Sequence, residues 1–177
     1  MNYTKMFREI CLISIFAIVA ILVRMVFQLS GLTLAFSLLG TGCLIFFLFW
    51  IGKEDAMTKM ITRRKNLLFI GSAAVLYIIK AGFMRKVSIL DIAFVLIASA
   101  MFLLLGKTNK WGLGDSFLCI GTLLCYMTIF GSFYGTAFLI TLFFSVLVVL
   151  LCRDKMVPFA PCLYAGSVLT LFCLFIC

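Results

Sequence analysis

Two aspartates, Asp55 and Asp115, are the side chains of this sequence best suited to chemistry. The chain has six Asp and Glu residues and no His among its 177 residues, so few groups can exchange protons at neutral pH. Asp115 ends the stretch Gly112-Leu113-Gly114-Asp115, which leads into a long apolar run. A carboxylate at the edge of such a run is a functional-site candidate if the run spans a membrane.

A second carboxylate beside Asp115 would make acid–base catalysis possible, and Asp55 is the partner we predict. Two carboxylates held close together share one proton, because both cannot ionise comfortably. One member then activates a water molecule while the other protonates the carbonyl of the substrate. Such a pair hydrolyses a peptide without histidine, metal or a covalent intermediate. Gly112 and Gly114 suit this site, since glycine lets the backbone approach a substrate and adopt unusual φ values.

Each carboxylate also has an ordinary structural explanation. Asp55 can pair with Lys59 one helical turn later, and Asp115 can cap the helix that follows it. Three other acids are explained by structural roles alone: Glu9 at a helix start, Asp91 in a capping box and Asp154 in a turn between basic residues. The chemistry of the pair therefore depends on whether the fold brings Asp55 and Asp115 together.

Apolar runs recur along the whole chain and predict membrane-spanning helices. The sequence is 66% hydrophobic and 12% charged, with a mean hydropathy of +1.29, whereas soluble domains average roughly 45–50% apolar residues. A spanning helix needs about 20 residues, and suitable runs lie at residues 9–28, 33–52, 67–83, 89–105, 116–130, 134–152 and 158–177. We predict an all-α membrane protein, a polytopic bundle of about seven helices (six to eight), in which residues 1–177 form one domain.

Basic residues are concentrated on one side of the predicted bundle. By the positive-inside rule, eleven of the 15 Lys and Arg residues lie on the cytoplasmic side and the other four lie outside. The N-terminus is then cytoplasmic. Both aspartates lie at the cytoplasmic ends of their helices, because an even number of spans separates them. The formal net charge of +9 favours anionic lipid headgroups as the partner rather than nucleic acid.

The cysteines do not predict a metal site. Most of the eight lie within apolar runs, none forms a C-x-x-C pair, and no histidine is present to complete a zinc site. Buried cysteine usually packs as a small apolar residue. We therefore predict no metal and no cofactor.

Three segments together resemble the type IV prepilin peptidase family of intramembrane aspartic proteases. Asp55-Ala56-Met57-Thr58-Lys59-Met60-Ile61 is similar to the first motif of the family, an Asp at the cytoplasmic end of a span followed by Thr and Ile at this spacing. Gly112-Leu113-Gly114-Asp115 matches the second motif. Val157-Pro158-Phe159-Ala160-Pro161 resembles a late Pro-Phe-Gly/Ala-Pro segment. In order and spacing the resemblance covers roughly residues 35–177.

The resemblance implies an aspartic endopeptidase in which Asp55 and Asp115 are catalytic. Members of this family remove short basic leader peptides from pilin-like precursors at the cytoplasmic membrane surface, and they need no cofactor. The implied location is the bacterial plasma membrane, with the active site facing the cytoplasm. Larger members also carry a zinc-binding module linked to N-methylation. This chain has no such module, so it resembles the short members that act only as peptidases.

Two positions depart from the family pattern, and two others are predicted to shape the site. The first motif often continues Ile-Pro-Asn, but Thr62 stands where the proline would be, and Phe117 occupies a position that is often Lys. Both aspartates are retained, so these departures concern substrate choice. We predict that Thr58 forms a hydrogen bond near Asp55, and that Pro158 holds an irregular entry to the last helix.

Two other functional classes remain open at this stage. In a small transporter or channel, the acids would bind a cation or relay protons, although such groups usually lie near the middle of the bilayer. In a membrane scaffold without activity, both aspartates would only cap helices. The sequence identifies neither the precursor nor the oligomeric state.

Overall fold

Long helices make up most of the protein. The computed structural model describes residues 3–29, 31–58, 60–84, 89–107, 112–151 and 158–176. In chain order the helices are α1 (Tyr3–Gln28), α2 (Gly31–Thr58), α3 (Arg63–Met84), α4 (Ile89–Gly106), α5 (Leu113–Phe130), α6 (Tyr134–Leu151) and α7 (Phe159–Ile176). No strand occurs in the described residues, which confirms the predicted all-α fold.

Six stretches of the described chain are long and apolar enough to cross a membrane. One of them, Leu113–Leu151, contains both α5 and α6. These helices form a hairpin, because the 3-10 turn Gly131–Phe133 separates them and the Tyr126 hydroxyl lies 2.6 Å from that of Thr141. Tyr126 and Thr141 are 15 positions apart in the sequence, and in one straight helix they would lie about 20 Å from each other. The prediction of a bundle of about seven helices is therefore confirmed.

The two helices that carry the aspartates extend beyond their predicted bounds. Helix α2 continues to Thr58 instead of ending at residue 52, and α5 begins at Leu113 instead of residue 116. The prediction followed the apolar runs, but charged residues such as Lys53 extend a helix past the apolar region without breaking it. As a result Asp55 lies in the last turn of α2 and Asp115 in the first turn of α5.

Helices α5 and α7 form the interior of the bundle. Most side chains of both are buried, and α5 packs against α2, α3, α4 and α6, while α7 packs against α1, α2 and α6. Helix α4 has no buried residue. Phe16 of α1 and Leu151 of α6 are each 81% exposed. Apolar surface of this extent suits contact with lipid tails, as in a multi-pass membrane protein.

Side-chain contacts define the two ends of the bundle. At one end, where α2 ends and α3, α5 and α7 begin, the Asn66 amide donates to the Gly114 carbonyl at 3.1 Å. At the other, the Ser37 hydroxyl donates to the Ile129 carbonyl at 3.1 Å, and the Lys80 ammonium also reaches carbonyls near the end of α5. We call the first the aspartate end and the second the distal end.

Small residues allow the interior helices to pack closely. A Cβ atom at Gly166 of α7 would lie 2.3 Å from the Ser145 hydroxyl oxygen and 2.7 Å from the Thr141 carbonyl oxygen of α6. The Thr141 hydroxyl also donates to that of Thr170 at 2.8 Å. Close backbone approach and hydrogen bonds between helices are the means by which helices associate within lipid. This packing fixes α7, and with it the helix start beside Asp55.

Candidate active site

Asp55 is buried between α2 and the start of α7. Its side chain is 5% exposed, and its Oδ2 atom accepts a hydrogen bond from the backbone N–H of Ala160 at 3.1 Å. Ala160 is in the first turn of α7, where N–H groups have no partner within the helix. Pro161, the next residue, has no N–H at all. Asp55 therefore caps α7 from a neighbouring helix, a contact between residues 105 positions apart.

Asp115 lies in the first turn of α5 and is partly exposed. The backbone N–H of Gly112 donates to its carboxylate, an arrangement like half of a capping box. Gly112 has an extended conformation, with φ −72° and ψ 141°, and its carbonyl accepts the backbone N–H of Ser116 at 3.1 Å. A Cβ atom at Gly112 would lie 3.0 Å from Asp115 Oδ2. Glycine in this place thus leaves room for the carboxylate.

The structure places the two carboxylates at the same end of the bundle, the aspartate end. The negative charge of Asp55 is near enough to act on Asp115, although the residues come from helices far apart in the sequence. This agrees with the even number of spans between them. Because α2 packs against both α5 and α7, helix packing sets the relative position of the two aspartates. Two carboxylates can share a proton when they lie within a few ångströms of each other.

Gly114 is the point where the turn between α2 and α3 meets α5. A Cβ atom at Gly114 would lie 3.3 Å from the Cβ atom of Ile61 and 3.6 Å from Asn66 Nδ2. The amide of Asn66 is 1% exposed and donates to the Gly114 carbonyl. We did not identify Asn66 from the sequence. The available signal was an isolated Asn near the start of a largely apolar helix.

Thr58 and Pro158 have structural roles. The exposed Thr58 hydroxyl donates to the Glu54 carbonyl at 2.9 Å and accepts the backbone N–H of Met60 at 3.3 Å, so it ends α2. A threonine in the last turn of a helix readily bonds the carbonyl four residues earlier, and the suggested role of Thr58 near Asp55 stays a prediction. Pro158 is buried just before α7, and its carbonyl accepts a hydrogen bond from the Cys162 thiol at 3.4 Å.

Thr62 and Phe117, the two residues that depart from the family pattern, have different neighbours. The Thr62 hydroxyl donates to one oxygen of Glu54, and the Lys65 ammonium lies 3.1 Å from the other. Lys65 also lies 4.5 Å from the centre of the Trp50 ring. Thr62 therefore belongs to a polar contact that joins α2 to α3. Phe117 is a partly exposed residue of α5.

Other predicted features are described only in part. Lys59, the alternative partner of Asp55, and Val157 lie outside the described residues. Within the described ranges, no group of three or more His, Cys, Asp or Glu side chains is arranged to hold a metal ion. Cys119, Cys125 and Cys162 are buried.

Comparison with known protein families, characterised proteins and solved structures found no match. The resemblance to prepilin peptidases therefore depends on the three motifs alone.

Proposed function

We propose that this protein is a membrane-embedded aspartic endopeptidase that uses Asp55 and Asp115 as a catalytic pair. The observation that carries the proposal is the placement of these two carboxylates, from different helices, at one end of the bundle, near enough for the charge of Asp55 to act on Asp115. Burial of Asp55 and the glycines around Asp115 support it as well. Paired carboxylates at the edge of a membrane span are suited to hydrolysis at the membrane surface.

The proposed mechanism needs only water and the two side chains. The ionised member of the pair takes a proton from water as the water oxygen attacks the carbonyl carbon of the substrate, and the protonated member donates to the carbonyl oxygen. In the resulting tetrahedral diol, the protonated aspartate donates its proton to the peptide nitrogen while the other aspartate takes a proton from a diol hydroxyl. The C–N bond then breaks. A new carboxyl terminus and a new amino terminus are released, and the pair again holds one proton.

The substrate and the orientation follow from the resemblance and from charge. We propose a pilin-like precursor whose short basic leader is cleaved at the cytoplasmic face of a bacterial plasma membrane. Lys53, Arg63 and Arg64 are exposed near the aspartate end, as the positive-inside rule expects for a cytoplasmic surface. The aspartates lie at helix ends, where the segment between a leader and a membrane helix would meet them.

The test uses the full-length protein in proteoliposomes together with a pilin-like precursor carrying a basic leader. Asp55→Asn and Asp115→Asn should each abolish cleavage, because neither variant keeps a pair that can share a proton. Asp91→Asn is the matched control, since Asp91 is also an aspartate in the first turn of a helix. It should cleave at the wild-type rate. Full cleavage by either variant of the pair would reject the proposed mechanism.

A cavity at the distal end favours transport as a second candidate function. It has a volume of about 910 Å³, and its lining includes Tyr77, Lys80 and Asp91. Charged groups facing a cavity are typical of substrate pathways in membranes. Uptake of a solute into proteoliposomes that depends on Asp91 or Lys80, without cleavage of the precursor, would favour this function over peptidase activity.

A further inference from the structure

Asn66 is a polar side chain in a position where an apolar one would be expected. It is 1% exposed, and the other buried residues of α3 are Phe69 and Ala73. Together these residues face the core, and α3 packs closely against α5. Buried polar groups disfavour folding unless their hydrogen bonds are satisfied.

Only one of the two polar atoms of the Asn66 side chain has a hydrogen-bond partner among the described residues. Its Nδ2 atom donates to the Gly114 carbonyl at 3.1 Å, whereas its Oδ1 atom is buried and has no hydrogen-bond partner among the described residues. An apolar residue would avoid this unpartnered oxygen. Stability alone therefore does not account for the amide, and its one bond is to the residue directly before Asp115.

The segment that follows Asp55 in the chain also contacts Gly114, the residue directly before Asp115. Asp55 is in the last turn of α2, and the turn that follows it brings Ile61 against Gly114. Asn66, in the first turns of α3, then bonds the carbonyl of the same glycine. Both ends of the α2–α3 connection thus contact the α5 turn that carries Asp115.

We propose that Asn66 is a positioning residue that holds Asp115 at its working distance from Asp55. It acts through the Gly114 peptide group and does not touch the substrate. This inference rests on the proposed peptidase function. Small displacements of a catalytic group reduce rates strongly, by about 100-fold for 1 Å. Loss of the amide should therefore lower kcat and leave KM nearly unchanged.

Two variants and one control test this role in the full-length protein. Asn66→Leu keeps the branched outline of the side chain but cannot donate, and Asn66→Ala removes the amide without adding volume. Ser37→Ala is the matched control: Ser37 is 0% exposed and likewise donates to a carbonyl of α5, that of Ile129, at the distal end. We expect at least one Asn66 variant to unfold at the wild-type temperature, since the unpartnered oxygen is removed.

The expected result is a fall in kcat of about 10–100-fold for such a stable Asn66 variant, with KM within about 3-fold of wild type. Ser37→Ala should retain the wild-type kcat. Wild-type kcat in a folded Asn66 variant would overturn the inference. So would a loss of kcat only in variants that also unfold at lower temperature, because that result indicates a purely structural role.

A second readout does not depend on cleavage. The rate at which a hydrophobic carbodiimide labels Asp115, followed by mass spectrometry, should change at least 3-fold in the Asn66 variants and stay constant in Ser37→Ala. If wild-type protein cleaves no precursor, the proposed function fails while the labelling still tests the positioning. If wild type cleaves and both kcat and labelling are unchanged in the Asn66 variants, the positioning fails and the function stands.

Discussion

Two substitutions of Asp55 separate its proposed catalytic role from its contact with α7. Its Oδ2 atom accepts the Ala160 N–H at 3.1 Å, and the side chain is 5% exposed. Asp55→Asn keeps a side-chain oxygen that can accept this bond, whereas Asp55→Ala removes it. Both variants lose the carboxylate that would take or give a proton. Cleavage should therefore be lost in both, and stability should fall much more for Asp55→Ala than for Asp55→Asn.

The size of the stability effect follows from the contact. Asp55→Ala leaves a buried N–H without an acceptor, which destabilises the protein by about 1–3 kcal/mol. It also removes a favourable charge near a helix start, which contributes about 0.3–1 kcal/mol. Asp55→Asn loses only that charge effect, and the loss is offset because a negative charge in the last turn of α2 is unfavourable and because the repulsion from Glu54 and Asp115 is relieved. At roughly 2–4 °C per kcal/mol for a chain of this size, Tm falls by about 3–15 °C for Ala and by less than about 4 °C for Asn.

The assay pairs thermal unfolding of purified protein with cleavage of a pilin-like precursor in proteoliposomes. We expect both variants to be inactive and only Asp55→Ala to unfold at clearly lower temperature. If Asp55→Asn cleaves the precursor, Asp55 is a cap and not a catalyst. If Asp55→Ala is as stable as wild type, the hydrogen bond to Ala160 does not stabilise α7.

Three further predictions concern close packing and the shared proton. Gly166→Ala places a Cβ atom 2.3 Å from the Ser145 hydroxyl oxygen, and should destabilise the protein by about 1–3 kcal/mol, seen as a lower Tm; an unchanged Tm would contradict this packing. Gly112→Ala places a Cβ atom 3.0 Å from Asp115 Oδ2, and should lower kcat about 10-fold or more while the protein stays folded; wild-type kcat would show that the carboxylate has spare room. The pH profile of kcat should be bell-shaped, because the pair loses its base when both members are protonated and its acid when both are ionised; a flat profile would argue against a shared proton.

The sequence was sufficient to predict the helices but not their ends. In lipid every backbone polar group must be hydrogen-bonded within the protein, so continuous apolar runs of about 20 residues indicate helices directly. The last residues of α2 include Lys53, Glu54 and Asp55, so hydropathy does not report that this helix continues to Thr58. What ends α2 is a local hydrogen bond of the Thr58 hydroxyl. The same limitation placed the start of α5 three residues late.

Topology and motif spacing predicted which residues of the candidate site lie at the same end of the bundle, but not their contacts. Counting spans was enough to place Asp55 and Asp115 at one end of the bundle. The hydrogen bond from Ala160 to Asp55 joins residues 105 positions apart and depends on how α7 packs against α2, which no local pattern encodes. The contact of Asn66 with Gly114 is of the same kind, because it exists only once α3 and α5 are side by side.

The central claim is that Asp55 and Asp115 act as one catalytic unit. The most direct measurement compares cleavage rates of Asp55→Asn, Asp115→Asn and the double variant under single-turnover conditions. Residues that act as a unit show strongly non-additive losses. We predict that each single variant loses as much activity as the double variant, down to the background rate of the uncatalysed reaction. Independent, additive losses, or substantial cleavage by either single variant, would contradict the account.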